Sequence, residues 1–201
     1  MTALKIGILG GSFNPAHDGH RHISITALRL LGLDQVWWLV SPQNPLKPAA
    51  GMAEYEERLA SARAASRHPN IRISDFERKI GQSYTARTLK ALQTAHPMTK
   101  FIWLMGADNL IQFPSWHRWE DIINTVPIAV FNRPGYMYQA LNGKIARKYQ
   151  KNRILGEFGG KSLHRLAGAT PPSWTFVAQT THELSSSALR NFRDKAGNAC
   201  P

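Results

Sequence analysis

The strongest constraint on this chain is an alternation of short apolar runs with helical patterns. LKIGIL (4–9) reads as a buried strand, and 20–31 reads as a helix ended by Gly32. QVWWLV (35–40) is a second strand, and the three prolines of SPQNPLKP (41–48) mark a loop. A helix is predicted over 54–66, with Tyr55, Leu59 and Ala62 on one face. IRISDF (71–76), KFIWLM (100–105), PIAVF (127–131) and WTFVAQ (174–179) are further strands. Helices are predicted over 84–95, 116–123 and 185–195.

Strands separated by helices of this length imply parallel pairing through right-handed crossovers. The runs lack strict alternation, as expected when both faces of a sheet are covered. The expected fold is therefore α/β: a Rossmann-like, doubly wound, mainly parallel sheet with helices on both faces. In such a sheet ligands sit beyond the carboxyl ends of the strands. GGSFNPAH follows the first strand, SPQNPLK the second and GADNL the fourth, so the three loops should open on one edge.

A chain of 201 residues suits one domain. Residues 136–172 break the rhythm and read as a basic insertion. Within 142–165 there are seven Lys or Arg against one Glu, which reads as a solvated basic helix and loop in preference to a nucleic-acid patch. The whole chain carries +12, which suits polyanions without distinguishing nucleic acid, nucleotide or membrane surface. Cys200 is the only cysteine, so neither an internal disulfide framework nor a Cys-based zinc site is available. No signal peptide is evident, and no stretch approaches the roughly 18 apolar residues of a membrane span. The expectation is a cytoplasmic protein without membrane or nucleic-acid partners.

The first strand runs into GGSFNPAHDGH. Gly10 and Gly11 permit a tight turn and a close approach of backbone N–H groups to phosphate. The stretch lacks the third glycine of GxGxxG, and no GK[ST] follows. His17 and His20 lie three apart at a helix start, where the dipole favours anions. On this fragment alone, phosphate binding, metal binding, helix capping and an ordinary βα turn all stay open.

Taken whole, GSFNPAHDGH resembles the GxFxPxHxGH signature of the nucleotidyltransferase superfamily, matching at Gly11, Phe13, Pro15, His17, Gly19 and His20. ELSSSALR (183–190) resembles that superfamily's ISSTxIR motif, with Leu184, Ser187 and Leu189 as departures. SPQNPLK, GQSYTARTL, GADNLIQFPSWHRWEDI and FNRPGY fall in the order found in bacterial nicotinate-nucleotide adenylyltransferases. The resemblance covers most of 5–135 and 174–190. Leu46 departs from the family's usual His, and 136–172 match nothing in it.

The resemblance implies transfer of AMP from ATP to nicotinate mononucleotide, giving deamido-NAD and pyrophosphate. It makes His17, His20, Lys47 and Arg190 catalytic. It assigns ATP to Gly10, Gly11, Ser12, Phe13, His17, His20, Ser185, Ser186, Ser187 and Arg190. Lys47, Thr85, Asp108, Trp116 and His117 fall to the acceptor nucleotide. Thr85 would donate to the nicotinate carboxylate, Trp116 would stack on the ring, and Asp108 would accept from ribose hydroxyls. The bland alternatives are a solvated Lys47, a core Trp116 and an N-capping Asp108. No metal ligands are assigned, because Mg²⁺ is expected to arrive on ATP. Nicotinamide mononucleotide or phosphopantetheine as acceptor, and a non-catalytic nucleic-acid-binding module, are the competing functions. Oligomeric state is open.

Overall fold

In the computed structural model, which describes residues 3–42, 51–156 and 161–178, the apolar runs form one six-stranded sheet. The strands are β1 (Lys5–Gly11), β2 (Gln35–Val40), β3 (Ile71–Ser74), β4 (Lys100–Gly106), β5 (Ile128–Phe131) and β6 (Trp174–Val177). Their order is β3-β2-β1-β4-β5-β6, and every neighbouring pair is parallel. The chain builds outward from β1 in one direction, returns, and builds outward from β4 in the other. The reversal between β1 and β4 opens a crevice at their carboxyl ends, where such sheets take ligands. The expected Rossmann-like doubly wound sheet is what forms.

The connecting helices are α1 (Asp18–Leu31), α2 (Tyr55–Ser66), α3 (Phe76–Lys79), α4 (Thr85–Ala95), α5 (Ala107–Gln112), α6 (Trp119–Thr125), α7 (Met137–Asn142) and α8 (Lys144–Lys148). Gly32 ends α1 in the left-handed conformation, its amide donating to the Leu28 carbonyl. The helix expected over 116–123 is shorter and starts later. Phe113–Ser115 forms a 3₁₀ turn, and Arg118, at φ 54°, interrupts the chain before α6. The helix expected over 185–195 lies outside the described residues.

Side chains alternate across the strands and feed two cores. Ile6, Ile8, Trp103 and Met105 pack with Leu89 and Leu92 of α4 and Ile122 and Ile123 of α6. Leu9, Ile102 and Leu104 pack with Ala27 and Leu31 of α1, Trp38 of β2 and Leu59 of α2. The basic segment joins both: Ala140, Ile145, Ala146 and Tyr149 enter the first core, and Leu163, Leu166 and Ala167 the second. It is the crossover from β5 to β6 as well as a basic surface. Among the described residues, no helix is long and apolar enough to cross a membrane.

The glycines after the first apolar run behave differently from the sequence reading. Gly10 and Gly11 lie inside β1, paired with Leu39 and Val40, and the turn starts after them. Gly10 is required by a neighbouring ring: a Cβ there would stand 2.4 Å from a carbon of the Trp103 indole. Replacing Gly10 with Ala should overpack this contact and lower stability by about 1–3 kcal/mol, read by urea denaturation.

Candidate active site at the carboxyl edge of the sheet

The site is built where the chain leaves β1. Ser12 is buried, and its hydroxyl has no hydrogen-bond partner among the described residues. Phe13 adopts φ 49°, a left-handed conformation rare for an aromatic residue, and its side chain is 2% exposed. Its ring stacks on Trp38 at 5.1 Å and meets the His20 ring at 4.8 Å. Burial of this aromatic pair compensates the backbone strain. The Trp38 indole N–H donates to Ser24 Oγ (2.8 Å), and Ser24 in turn donates to the His20 carbonyl (2.8 Å). The first turns of α1 are thereby anchored to β2.

His17 is the N-cap of α1, in extended conformation, and its Nδ1 accepts from the Gly19 amide at 3.1 Å. His20 reaches back, and its Nδ1 accepts from the His17 amide at 3.2 Å. This is a capping box made from two imidazoles. It has a chemical consequence. A ring whose Nδ1 accepts a backbone N–H carries its proton on Nε2 when neutral. Both rings are set as Nε2–H donors, with centroids 3.8 Å apart. Helix capping and anion binding, open alternatives in the sequence, are compatible because they use opposite ring nitrogens.

The loop after β2 is tied to the loop after β1 by residues the sequence reading passed over. Asn14 donates from Nδ2 to the Gly51 carbonyl and accepts at Oδ1 from the Ala53 amide. Arg58 of α2 is 2% exposed and threads four carbonyls: Ser12 (2.8 Å), Ser41 (2.7 Å), Pro42 (2.7 Å) and Ala53 (3.1 Å). Burial pushes its pKa down from the usual arginine value, and Tyr55 and Glu54 oppose that shift. Arg58 was visible as a charge on the predicted apolar stripe of 54–66, between Tyr55 and Leu59. Glu77 of α3 is also buried, at 4% exposure, and accepts from the Thr88 hydroxyl of α4 at 3.0 Å. Burial raises its pKa, against hydrogen bonds from the Ser41 and Thr88 side chains.

On the α4 side, Thr85 opens the helix and is half-buried. Tyr84 precedes it, and its ring packs on His117 at 4.6 Å. Trp116 is half-buried and meets Trp103 and Phe113 edge-on at 6.1 and 5.4 Å. The structure thus joins the Trp116–His117 segment to the start of α4, and gives Trp116 a share in the core. Asp108 sits in the first turn of α5, whose N-cap is Gly106; its Oδ2 accepts from Arg133, which follows β5, and its buried Oδ1 has no partner among the described residues. Arg133 is a further residue the sequence reading did not select. Lys47, Ser185, Ser186, Ser187 and Arg190 lie outside the described residues.

Among the described residues, no three His, Cys, Asp or Glu side chains converge on a metal position. The donors at α1 are imidazole and amide N–H groups, which suit phosphate oxygens and not a hard cation. The described residues do not fit a resident Mg²⁺.

Comparison with known proteins identifies the family of the chain. Residues 8–192 match the cytidylyltransferase-like family. A protein of Parvibaculum lavamentivorans named "Probable nicotinate-nucleotide adenylyltransferase" is 61% identical over 68% of this chain and 68% of its own length. One of the same name from Cereibacter sphaeroides is 46% identical over 93% of this chain and 97% of its own. The structure of Plasmodium falciparum nicotinic acid mononucleotide adenylyltransferase complexed with NaAD superposes with a TM-score of 0.67 at 17% identity. It covers 94% of this chain and 83% of that one, a likeness of fold.

Glu77 has a measurable signature. Its raised folded pKa means that the fold holds this proton more tightly than the unfolded chain does. Its contribution is therefore favourable below the ordinary glutamate value and is lost as pH rises through the raised one. Glu77→Gln cannot ionise, so the Tm of the variant minus that of the wild type should increase as pH is raised above the ordinary glutamate value, read by thermal denaturation.

Proposed function

Because the chain belongs to the nicotinate-nucleotide adenylyltransferases within the cytidylyltransferase-like family, we propose that its chemistry occurs at the carboxyl ends of β1 and β4. The enzyme transfers AMP from ATP to nicotinate mononucleotide, giving deamido-NAD and pyrophosphate, in NAD biosynthesis. The observation that carries the placement is the His17–His20 pair, with both rings held as Nε2–H donors at a helix N-terminus.

The attacking group is the 5′-phosphate of the mononucleotide, already ionised near neutral pH, so no general base is needed. Its oxygen attacks the ATP α-phosphorus in line, and pyrophosphate departs. Catalysis then consists of alignment and charge stabilisation. The His17 and His20 Nε2–H groups donate to phosphate oxygens, where charge accumulates in the transition state. Donation from neutral imidazole requires no proton release. The start of α1 adds the positive end of a 14-residue helix. Ser12 and the backbone at Gly11 and Phe13 line the same turn. Lys47 and Arg190 supply the cations that meet the phosphates, with Ser185, Ser186 and Ser187 as hydroxyl and amide donors. Mg²⁺ comes with ATP, on phosphates and water.

For the acceptor, Thr85 and the first amides of α4 donate to the nicotinate carboxylate, and Trp116 offers a ring face beside His117. Asp108, turned toward Arg133, accepts from a ribose hydroxyl. We read the chain as one nucleotidyltransferase domain acting in the cytoplasm, where a single cysteine stays reduced.

Purified protein supplied with ATP and each acceptor tests the reading through pyrophosphate release. Turnover should be fastest with nicotinate mononucleotide; preference for the nicotinamide form or for phosphopantetheine would overturn the acceptor assignment. His20→Ala should lower kcat on the order of 10²–10³-fold with the cooperative unfolding transition intact. Retained turnover in that variant would remove the imidazoles from the mechanism.

A further inference from the structure

We propose that Arg58, Ser41, Glu77 and Thr88 form a buried brace that fixes the spacing between the triphosphate turn after β1 and the acceptor-binding start of α4, making Arg58 a positioning residue. The inference rests on the proposed assignment of those two regions to ATP and acceptor.

The connection is continuous. Arg58 Nη1 donates to the Ser12 carbonyl in the β1 turn and to the Ser41 carbonyl at the end of β2. The Ser41 side chain hydrogen-bonds Glu77, and Glu77 accepts from Thr88 Oγ1. Thr88 lies one turn into α4, above Thr85, and also donates to the Tyr84 carbonyl. All four residues are less than a tenth exposed. A rigid path therefore runs from one substrate's loop to the other's helix.

Three features separate this from ordinary packing. Arg58 uses four of its five N–H donors on carbonyls drawn from three separate stretches of chain, a geometry only a planar guanidinium can satisfy. None of the ion pairs among the described residues includes Arg58. Replacing it with an apolar side chain of similar volume would leave four backbone carbonyls without these donors. Finally, Arg58 sets a donor's direction. The Ser12–Phe13 peptide is trans, so fixing the Ser12 carbonyl on Arg58 turns the Phe13 amide the opposite way. Carbonyl oxygens that would repel phosphate are collected on the guanidinium.

In-line transfer needs both substrates placed within a fraction of an ångström. A brace of this kind should act on kcat as well as on binding, and its two ends should differ in which substrate they affect. The test compares Arg58→Lys, Thr88→Val and the packing control Leu59→Ala, assayed well below each Tm. Arg58→Lys keeps the charge but loses the fork. It should raise KM for ATP and lower kcat, reducing kcat/KM about 10- to 100-fold. Thr88→Val preserves shape and should raise KM for nicotinate mononucleotide while lowering kcat. Leu59→Ala should lower Tm with steady-state constants unchanged.

Binding of a non-hydrolysable ATP analogue, followed by calorimetry, gives a readout independent of the acceptor. If the wild type binds the analogue but uses a different acceptor, the assignment of function fails, and the brace is still judged by weakened analogue binding in Arg58→Lys. If Arg58→Lys fails to fold, the Thr88→Val constants decide. Constants within about twofold of wild type for every folded brace variant, or the same losses in Leu59→Ala, would overturn the proposal.

Discussion

β1 is hydrogen-bonded along both edges, to β2 and to β4, and packed on both faces. Its middle is covered, and its carboxyl end is where parallel sheets of this order take ligands. Everything chemical in the structure follows from how the chain leaves that end. Ser12 turns under the neighbouring loop, Phe13 enters the left-handed region, and α1 starts five residues later. The turn is short because the α1 N-terminus must come back over the strand it has just left. Its strain is held by Phe13 on Trp38, a contact buried at 2% and 0% exposure. The sheet edge, the aromatic pair and the helix start are one device.

On the proposed function, that device makes a structural residue and a chemical residue of the same histidine. An aspartate or serine at the N-cap would satisfy the Gly19 amide equally well. A carboxylate, however, would repel the phosphate the helix end attracts. Imidazole resolves the conflict: Nδ1 accepts from the helix and Nε2 donates outward. Because both His17 and His20 are committed in the same sense, their protons are placed by the backbone and not by the ligand. Such preorganisation avoids reorientation when charge develops in the transition state.

The parts legible in the sequence are those governed by periodicity and by local motif. All six strands, and the helices over α1, α2 and α4, follow from apolar spacing, since each buries a stripe or both faces. The parts not legible depend on distant partners. Nothing near Gly10 announces that Trp103, on a strand more than ninety residues away, needs the space of its missing side chain. Phe13 in a left-handed turn contradicts local preference and is explained only by Trp38. Trp116 reads as core from composition and as a ligand platform only by resemblance, and the structure packs it against Trp103 and Phe113. Arg58 was visible as an anomaly on an apolar stripe, but its carbonyl partners come from loops whose meeting only the sheet order dictates. The basic segment reads as surface from its charge; its small and aliphatic residues, spaced between the lysines, are what pack into both cores.

The distribution of positive charge around this edge follows from the same logic. A cation in direct contact with a phosphate holds substrate and transition state almost alike, so it aids binding more than rate. On the proposed function, neutral N–H donors at His17 and His20 gain most when charge concentrates on the reacting phosphoryl group. Arg58 donates to four backbone carbonyls, which fixes its charge in place. The permanent charge of Arg58 is thereby used to hold the backbone of the turn, and on the proposed function the imidazole donors are left to respond to the chemistry.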